Sequence, residues 1–384
     1  MMNFNELLQK AVDNNASDIF IVSGLPLSYK VNGMISPIDD EMVVPDTAED
    51  LICVAYSIAE RDMAKLLETG DDDFSVSIKG LSRFRISAYK QRGSLAAVIR
   101  VVSFDIPAYD TLNIPEEIMK ISDKTKGLVL VTGPAGGGKS TTLACIIDKI
   151  NRNRNAHIIT LEEPIEYLHR NIKSVISQRE IHADTEGYVP ALRACLRQSP
   201  DVILVGEMRD FETIKTAMTA AETGHLVIST LHSVGAENTI DRIIDVFPPN
   251  QQQQIRVQLS QLLQTVVSQQ LLPTVDGKLV PAFEIMHANG AIRNMIRESK
   301  VHQINTVINT SAADGMEKSY DEILKLLNTV EEFGETYTDD LPITTSSPFE
   351  FTEMTAIQET ILKGFLQNAA TYQTKIAMAS GLAE

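Results

Sequence analysis

The chain has 384 residues, 43% of them hydrophobic, and a net charge of −17. That length accommodates two domains and a tail, and the acidic balance argues against a broad electrostatic grip on nucleic acid or anionic lipid. Cys53, Cys145 and Cys195 form no C-x-x-C pair, which disfavours a zinc knuckle or disulfide framework and fits a reducing cytoplasm.

The polar start at residues 1–6 carries no basic-then-apolar signal, and no apolar run nears the ~18 residues of a membrane span, so any membrane role is expected to run through partners. Phe4, Leu7, Leu8, Ala11 and Val12 predict a short amphipathic helix. Residues 19–22 read as a strand and 28–31 as a second, ended by the hairpin signal Asn32-Gly33. Helical spacing runs over 46–67 through Leu51, Ile52, Ala55, Ile58, Met63 and Leu66, until Gly70 breaks it. Asp71-Asp72-Asp73 reads as a solvated turn. Alternation then predicts strands at 74–78, 84–89 and 95–102. Residues 1–105 are thus expected to form a small α+β domain built on antiparallel hairpins, with 106–115 as a linker.

From there strand and helix alternate: strand 127–132, helix 140–151, strand 156–161, helix 187–197, strand 201–205, helix 210–223, strand 225–230, helix 234–246. This pattern predicts an α/β domain with a doubly wound parallel sheet over 116–334. A further helix is expected over 251–270, then a hairpin about Asp276-Gly277, then helices at 289–299, 301–309 and 317–332. Residues 335–384 read as an acidic Thr/Ser-rich linker followed by a C-terminal helix at 352–379.

The chemistry centres on Gly133-Pro134-Ala135-Gly136-Gly137-Gly138-Lys139-Ser140, which fits G-x-x-x-x-G-K-[ST] at every fixed position and sits between a predicted strand and a predicted helix. The glycines let backbone N–H groups close on phosphate oxygens, and the helix N-terminus adds partial positive charge. Lys139 suits the terminal phosphates and Ser140 a magnesium ion. Hydrolysis also needs carboxylates. Glu207 follows the apolar strand 201–205, and Glu162, Glu163 and Glu166 follow the strand before it. Both sets fall at the carboxyl edge of the expected sheet, where ligands of open α/β sheets bind. His225 and His232 bracket the strand 225–230; His232, at its far end, is placed to sense a γ-phosphate or brace a subunit contact. Arg83, Arg85, Arg92 and Arg100 on the first domain's strands are candidates to clamp a nucleotide.

In order, the phosphate loop, Thr-Leu-Glu-Glu-Pro-Ile-Glu (160–166), Asp-Val-Ile-Leu-Val-Gly-Glu-Met-Arg-Asp (201–210) and Thr-Gly-His…Thr-Leu-His (223–232) resemble the secretion ATPases of type II secretion and type IV pili. The last two segments match that family's Walker B and His boxes. The first acidic segment matches its Asp box with Glu163 in place of the usual aspartate and Glu166 retained. Ala291-Ile292-Arg293-Asn294-Met295-Ile296-Arg297-Glu298 resembles the retraction-motor signature Ala-Ile-Arg-Asn-Leu-Ile-Arg-Glu, differing only at Met295.

The resemblance implies a RecA-like P-loop NTPase domain preceded by a PAS-like α+β domain, assembled as a homohexamer with nucleotide between the domains. It implies Mg·ATP bound by residues 133–141 including Thr141, with Ser140, Glu166 and Glu207 around Mg²⁺, and His232, Arg209 and Arg242 towards the nucleotide. Glu207 or Glu166 polarises the attacking water; Glu207 is favoured because it directly follows the Walker B strand. Arg85 and Arg100 are the arginines carried over as the clamp, and 291–298 is the output element. The function so implied is pilus retraction against an inner-membrane platform protein, with pilin acted on indirectly and without zinc or nucleic acid. The alternatives are a pilus-assembly or type II secretion ATPase, and a nucleotide-binding scaffold that does not hydrolyse.

Overall fold

The computed structural model describes residues 2–31, 34–102, 104, 106–273, 279–311 and 315–318. They fall into two compact units: one holds Met1–Asp105, Pro164–Arg170 and His182–Asp184, and the other Ile106–Glu163, Asn171–Ile181 and the chain from Thr185 onward. The expectations for 319–384, and the turn residues Asn32-Gly33 and Asp276-Gly277, lie outside the described residues.

In the first unit the elements are α1 (Phe4–Asp13), β1 (Asp18–Ile21), β2 (Pro26–Val31), β3 (Met34–Met42), α2 (Pro45–Ile58), α3 (Ala64–Thr69), β4 (Asp71–Ile78), β5 (Ser82–Gln91) and β6 (Ser94–Val102). The strands form a six-stranded antiparallel sheet in the order β3-β2-β1-β6-β5-β4. A capping box starts α1: the Asn3 side chain accepts from the Glu6 N–H, and Glu6 accepts in return from the Asn3 N–H. Leu7, Leu8, Ile52 and Tyr56 bury against Ile19, Ile21, Phe84, Ile86 and Ile99 from alternate sheet positions.

Two sequence expectations change here. The helix expected over 46–67 is two helices, because Glu60 takes a left-handed φ of 51° just after α2. Asp71-Asp72-Asp73 is not a solvated turn but the start of β4. The Asp72 side chain is fully buried, accepting from Tyr56 Oη at 3.0 Å, Arg61 Nη2 at 3.2 Å and Lys65 Nζ at 2.9 Å. Charge density alone reads an acid run as surface; the cations that neutralise this one sit seven and eleven residues upstream. β3 carried no alternation signal, since most of its residues are exposed.

The second unit runs α4 (Glu116–Met119), β7 (Gly127–Thr132), α5 (Lys139–Asn153), β8 (His157–Glu162), β9 (Val175–Glu180), α6 (Tyr188–Cys195), β10 (Val202–Val205), α7 (Phe211–Glu222), β11 (Leu226–Leu231), α8 (Ala236–Asp245), α9 (Pro249–Leu262), β12 (Leu263–Pro273), β13 (Leu279–His287), α10 (Gly290–Arg297), α11 (Ile304–Thr310) and β14 (Glu317–Lys318). The sheet order is β14-β13-β12-β7-β11-β10-β8-β9. Neighbours from β12 to β9 run parallel, while β13 and β14 add antiparallel strands at one edge.

Both faces of the sheet are covered. Val129, Val131, Ile158, Val202, Leu204 and Ile228 pack with α4 and α5, whereas Leu128, Leu130, Ile159, Leu161, Ile203 and Val227 pack with α6, α7, α8, α9 and α10. Burial on both faces explains why these strands read as continuous apolar runs. Residues expected as a linker are folded: Ile106, Tyr109 and Leu112 pack on the α5 side, and Lys149 Nζ lies 5.4 Å from the Tyr109 ring centroid. The helix expected over 251–270 ends at Leu262, and β12 takes over. Its first residues, Leu263-Gln264-Thr265-Val266-Val267, hold a β-branched run that pairs with β7, so tertiary pairing overrides the helical spacing. At 317–332 the described part is β14 rather than helix. No described helix is long and apolar enough to cross a membrane.

Candidate functional site

The parallel strands deliver their loops to one edge. Across β7, β11, β10 and β8, the carboxyl ends lead into residues 133–138, His232, Gly206-Glu207 and Glu163 respectively. Hydrogen bonds pin that edge. Gly206 N–H donates to the Leu161 carbonyl at 2.7 Å, Thr230 Oγ1 to the Gly206 carbonyl at 2.6 Å, and Met208 N–H to the Thr230 carbonyl at 3.1 Å.

Residues 133–138 turn from β7 into α5. Gly138 is the N-cap of α5 with a left-handed φ of 80°, a conformation glycine adopts without penalty, and it leaves the first-turn N–H groups without a side-chain cap. Lys139 is buried, and its Nζ donates to the carbonyls of Gly133 at 2.8 Å and Pro134 at 2.7 Å, wrapped by the loop it follows. Ala135 and Gly136 are exposed, Gly137 is buried, and Pro134, Ser140 and Thr141 are half-buried. An uncapped helix N-terminus, left-handed glycines and an enclosed ammonium group are what a polyphosphate requires of its cradle, so the residues fit Mg·ATP.

Two strands along the same edge, Glu207 is held at both oxygens. Arg209 Nε lies 2.6 Å from Oε1 and His232 Nε2 lies 3.4 Å from Oε2, while the Glu207 side chain is only 13% exposed. Glu207, Arg209, His232 and Arg242 share a 450 Å³ cavity with Thr230 and Ser233. Tyr188 stands against the same corner; burial, with Glu207 and Glu163 adding repulsion, pushes its phenol well above the usual range. His225 is elsewhere: its Nδ1 meets the Ala220 carbonyl at 2.9 Å and Thr223 Oγ1 at 3.1 Å, at the end of α7.

The remaining predicted residues are placed as follows. Glu166 is exposed in the segment that groups with the first unit. Arg85 and Arg100 stand directly opposite each other on β5 and β6, on the sheet face turned away from Ile86 and Ile99. Arg100 Nε pairs with Asp18 Oδ1 at 3.1 Å, and Asp18 is its cross-strand neighbour on β1. In α10, Ile292 and Ile296 are buried, whereas Ala291, Asn294, Arg297 and Glu298 are exposed and Met295 is half-buried. Arg293 turns inward, donating from Nη1 to the Ser260 and Gln261 carbonyls at 2.7 and 2.9 Å, the last turn of α9.

Two residues beneath the loop escape motif reading. Gln269 on β12 is 2% exposed, and its Oε1 accepts from Thr142 Oγ1 at 2.7 Å. The usable signal was the run Thr265-Val266-Val267, which marks a strand entering the sheet beside β7.

The fold and this edge define a P-loop NTPase of the α/β class. Residues 1–340 match the family described as Type II/IV secretion system protein, and the chain belongs to that family. It is 43% identical over 320 residues to the type IV pilus retractation ATPase PilT of Pseudomonas aeruginosa, covering 82% of this chain and 91% of that protein. It is 46% identical over 273 residues to a twitching motility protein of Neisseria gonorrhoeae, covering 71% and 73%. A crystal structure of the pilus retraction motor PilT with bound ADP superposes with a TM-score of 0.77 at 42% identity, covering 88% of this chain and 98% of that one.

Proposed function

We propose that the chain is a Mg²⁺- and ATP-dependent homohexameric motor that drives type IV pilus retraction. The hydrolytic part rests on one observation above all: a carboxylate fixed at both oxygens, Glu207, at the sheet edge that carries the phosphate loop. The retraction part rests on the 43% identity to PilT across 91% of that relative.

Bound Mg·ATP would supply the scissile γ-phosphate and the cation that offsets its charge. Lys139 brings the loop's formal positive charge, and Ser140 the hydroxyl suited to Mg²⁺. Glu207 orients and deprotonates the attacking water, with Arg209 and His232 limiting its carboxylate to one orientation. Glu166 contributes to metal organisation, and Arg242 adds positive charge to the cavity wall. Arg85 and Arg100, adjacent on the first unit's sheet, form the clamp on the phosphates; Asp18 holds Arg100 in place until it engages.

In this reading the first unit is a PAS-like domain, and residues 106–115 move with the second unit, on which they are packed. Loss of the γ-phosphate releases the clamp, a differential contact of the kind a conformational switch requires. The exposed residues of α10 transmit the movement to an inner-membrane platform protein, which places the motor at the cytoplasmic face of that membrane and acts on pilin indirectly. A chromosomal deletion tests the direction of work. Accumulated, non-retracting pili are expected; a cell without pili would instead assign the chain to assembly.

A further inference from the structure

We propose that Gln269 is a positioning residue for the phosphate loop, seating it from the neighbouring strand. The inference rests on reading residues 133–141 as the nucleotide phosphate site.

Gln269 follows directly on the β12–β7 pairs Val267–Val131 and Ser268–Thr132, so it meets the chain where β7 gives way to the loop. Contact there is close at three glycines, and at Gly133 it leaves no room for a side chain. A Cβ on Gly133 would fall inside the van der Waals shell of the Gln269 carbonyl oxygen, and one on Gly137 would stand 3.1 Å from the same oxygen. A Cβ on Gly138 would stand 2.7 Å from Gln269 Nε2. The oxygen of the same amide, Oε1, accepts from Thr142 Oγ1 at 2.7 Å, and Thr142 is buried in the first turn of α5.

One residue thus touches the loop at its start and at its end, and ties the helix that follows. The first-turn N–H groups of α5 point wherever this seat directs them, and their aim sets the strength of phosphate binding. The seat is also uncharged. An amide supports the loop without placing a carboxylate beside bound phosphates, so glutamine satisfies both the packing and the electrostatics.

The β-phosphate is present in ADP, so the test is ADP affinity, measured by isothermal titration of the purified full chain. Gln269→Met keeps length and volume but loses the hydrogen bond; Thr142→Val removes the other partner. Each is expected to weaken ADP binding about tenfold, or 1.4 kcal/mol, with the nucleotide-free protein still folded and melting cooperatively. The double variant should bind no worse than the weaker single, because both remove one interaction. ADP affinity unchanged in either single variant, or losses that multiply in the double, would overturn the inference. Lys139→Ala separates the two levels. If it loses ADP while Gln269→Met and Thr142→Val do not, the loop assignment stands and the role of Gln269 falls. If Lys139→Ala binds ADP normally, the loop assignment itself fails.

Discussion

Single residues divide here into those whose sequence context reveals them and those revealed by partners far along the chain. Lys139 and Glu207 belong to the first kind: one sits in a spaced glycine motif, the other at the end of an apolar strand. Glu207→Gln removes the proposed base but keeps the side chain's size, so nucleotide affinity should stay near wild type while phosphate release falls by ~10²–10⁴-fold. Asp72 belongs to the second kind, since nothing local distinguishes it from Asp71 or Asp73. Burial alone would raise its carboxyl, but the hydrogen bonds from Lys65 and Tyr56 and the nearby Arg61 charge prevail and hold it below its ordinary value. A carboxyl with a depressed folded pKa contributes stability above its unfolded pKa of about 4, and that contribution is lost as the pH falls through the folded pKa. Asp72→Asn should therefore cost about 1.5–3 kcal/mol at pH 7. The gap to wild type should close as the pH drops below about 4, a trend that denaturant titrations at several pH values measure.

At the scale of elements, periodicity serves where burial is periodic and fails where pairing decides. The strands β7, β8, β10 and β11 and the helices α5, α7 and α8 were legible because both sheet faces are covered and the helices present one apolar side. β12 was not, because Leu263 and Val266, which pair beside β7, continue the helical spacing of Leu259 and Leu262 in α9. The cost of that misreading is specific: Gln269 falls within the helix expected over 251–270, which hides its place under the phosphate loop. The change from α9 to β12 is secured by Arg293, whose guanidinium satisfies two carbonyls in the last turn of α9. Arg293→Ala should lower the free energy of unfolding by about 1.5–3 kcal/mol, whereas Asn294→Ala, on the exposed side of α10, should leave it within about 0.5 kcal/mol. Equal losses in the two variants, followed by chemical denaturation, would mean that α10 does not anchor the junction in this way. Retraction defects at α10 therefore need to be read from Asn294 and Arg297 rather than from Arg293, where lost packing and lost output coincide.

For the whole molecule, composition and motif order located the nucleotide chemistry, and the family followed from four segments in sequence. The β12–β13 hairpin was expected from Asp276-Gly277 and is present as an antiparallel pair, whereas the pairing of β14 and the packing of 106–115 depend on contacts between distant parts of the chain. In the proposed function, Mg·ATP hydrolysis at the 133–141 loop powers movement. Chelating Mg²⁺ should stop phosphate release and restored Mg²⁺ should recover it, while the circular dichroism of the protein stays unchanged. The most direct test is phosphate release from ATP by purified wild-type protein and by Lys139→Ala, each checked for folding. Steady Mg²⁺-dependent release is expected from the wild type, and release at background from the folded variant. Wild-type turnover by Lys139→Ala would contradict the proposed function.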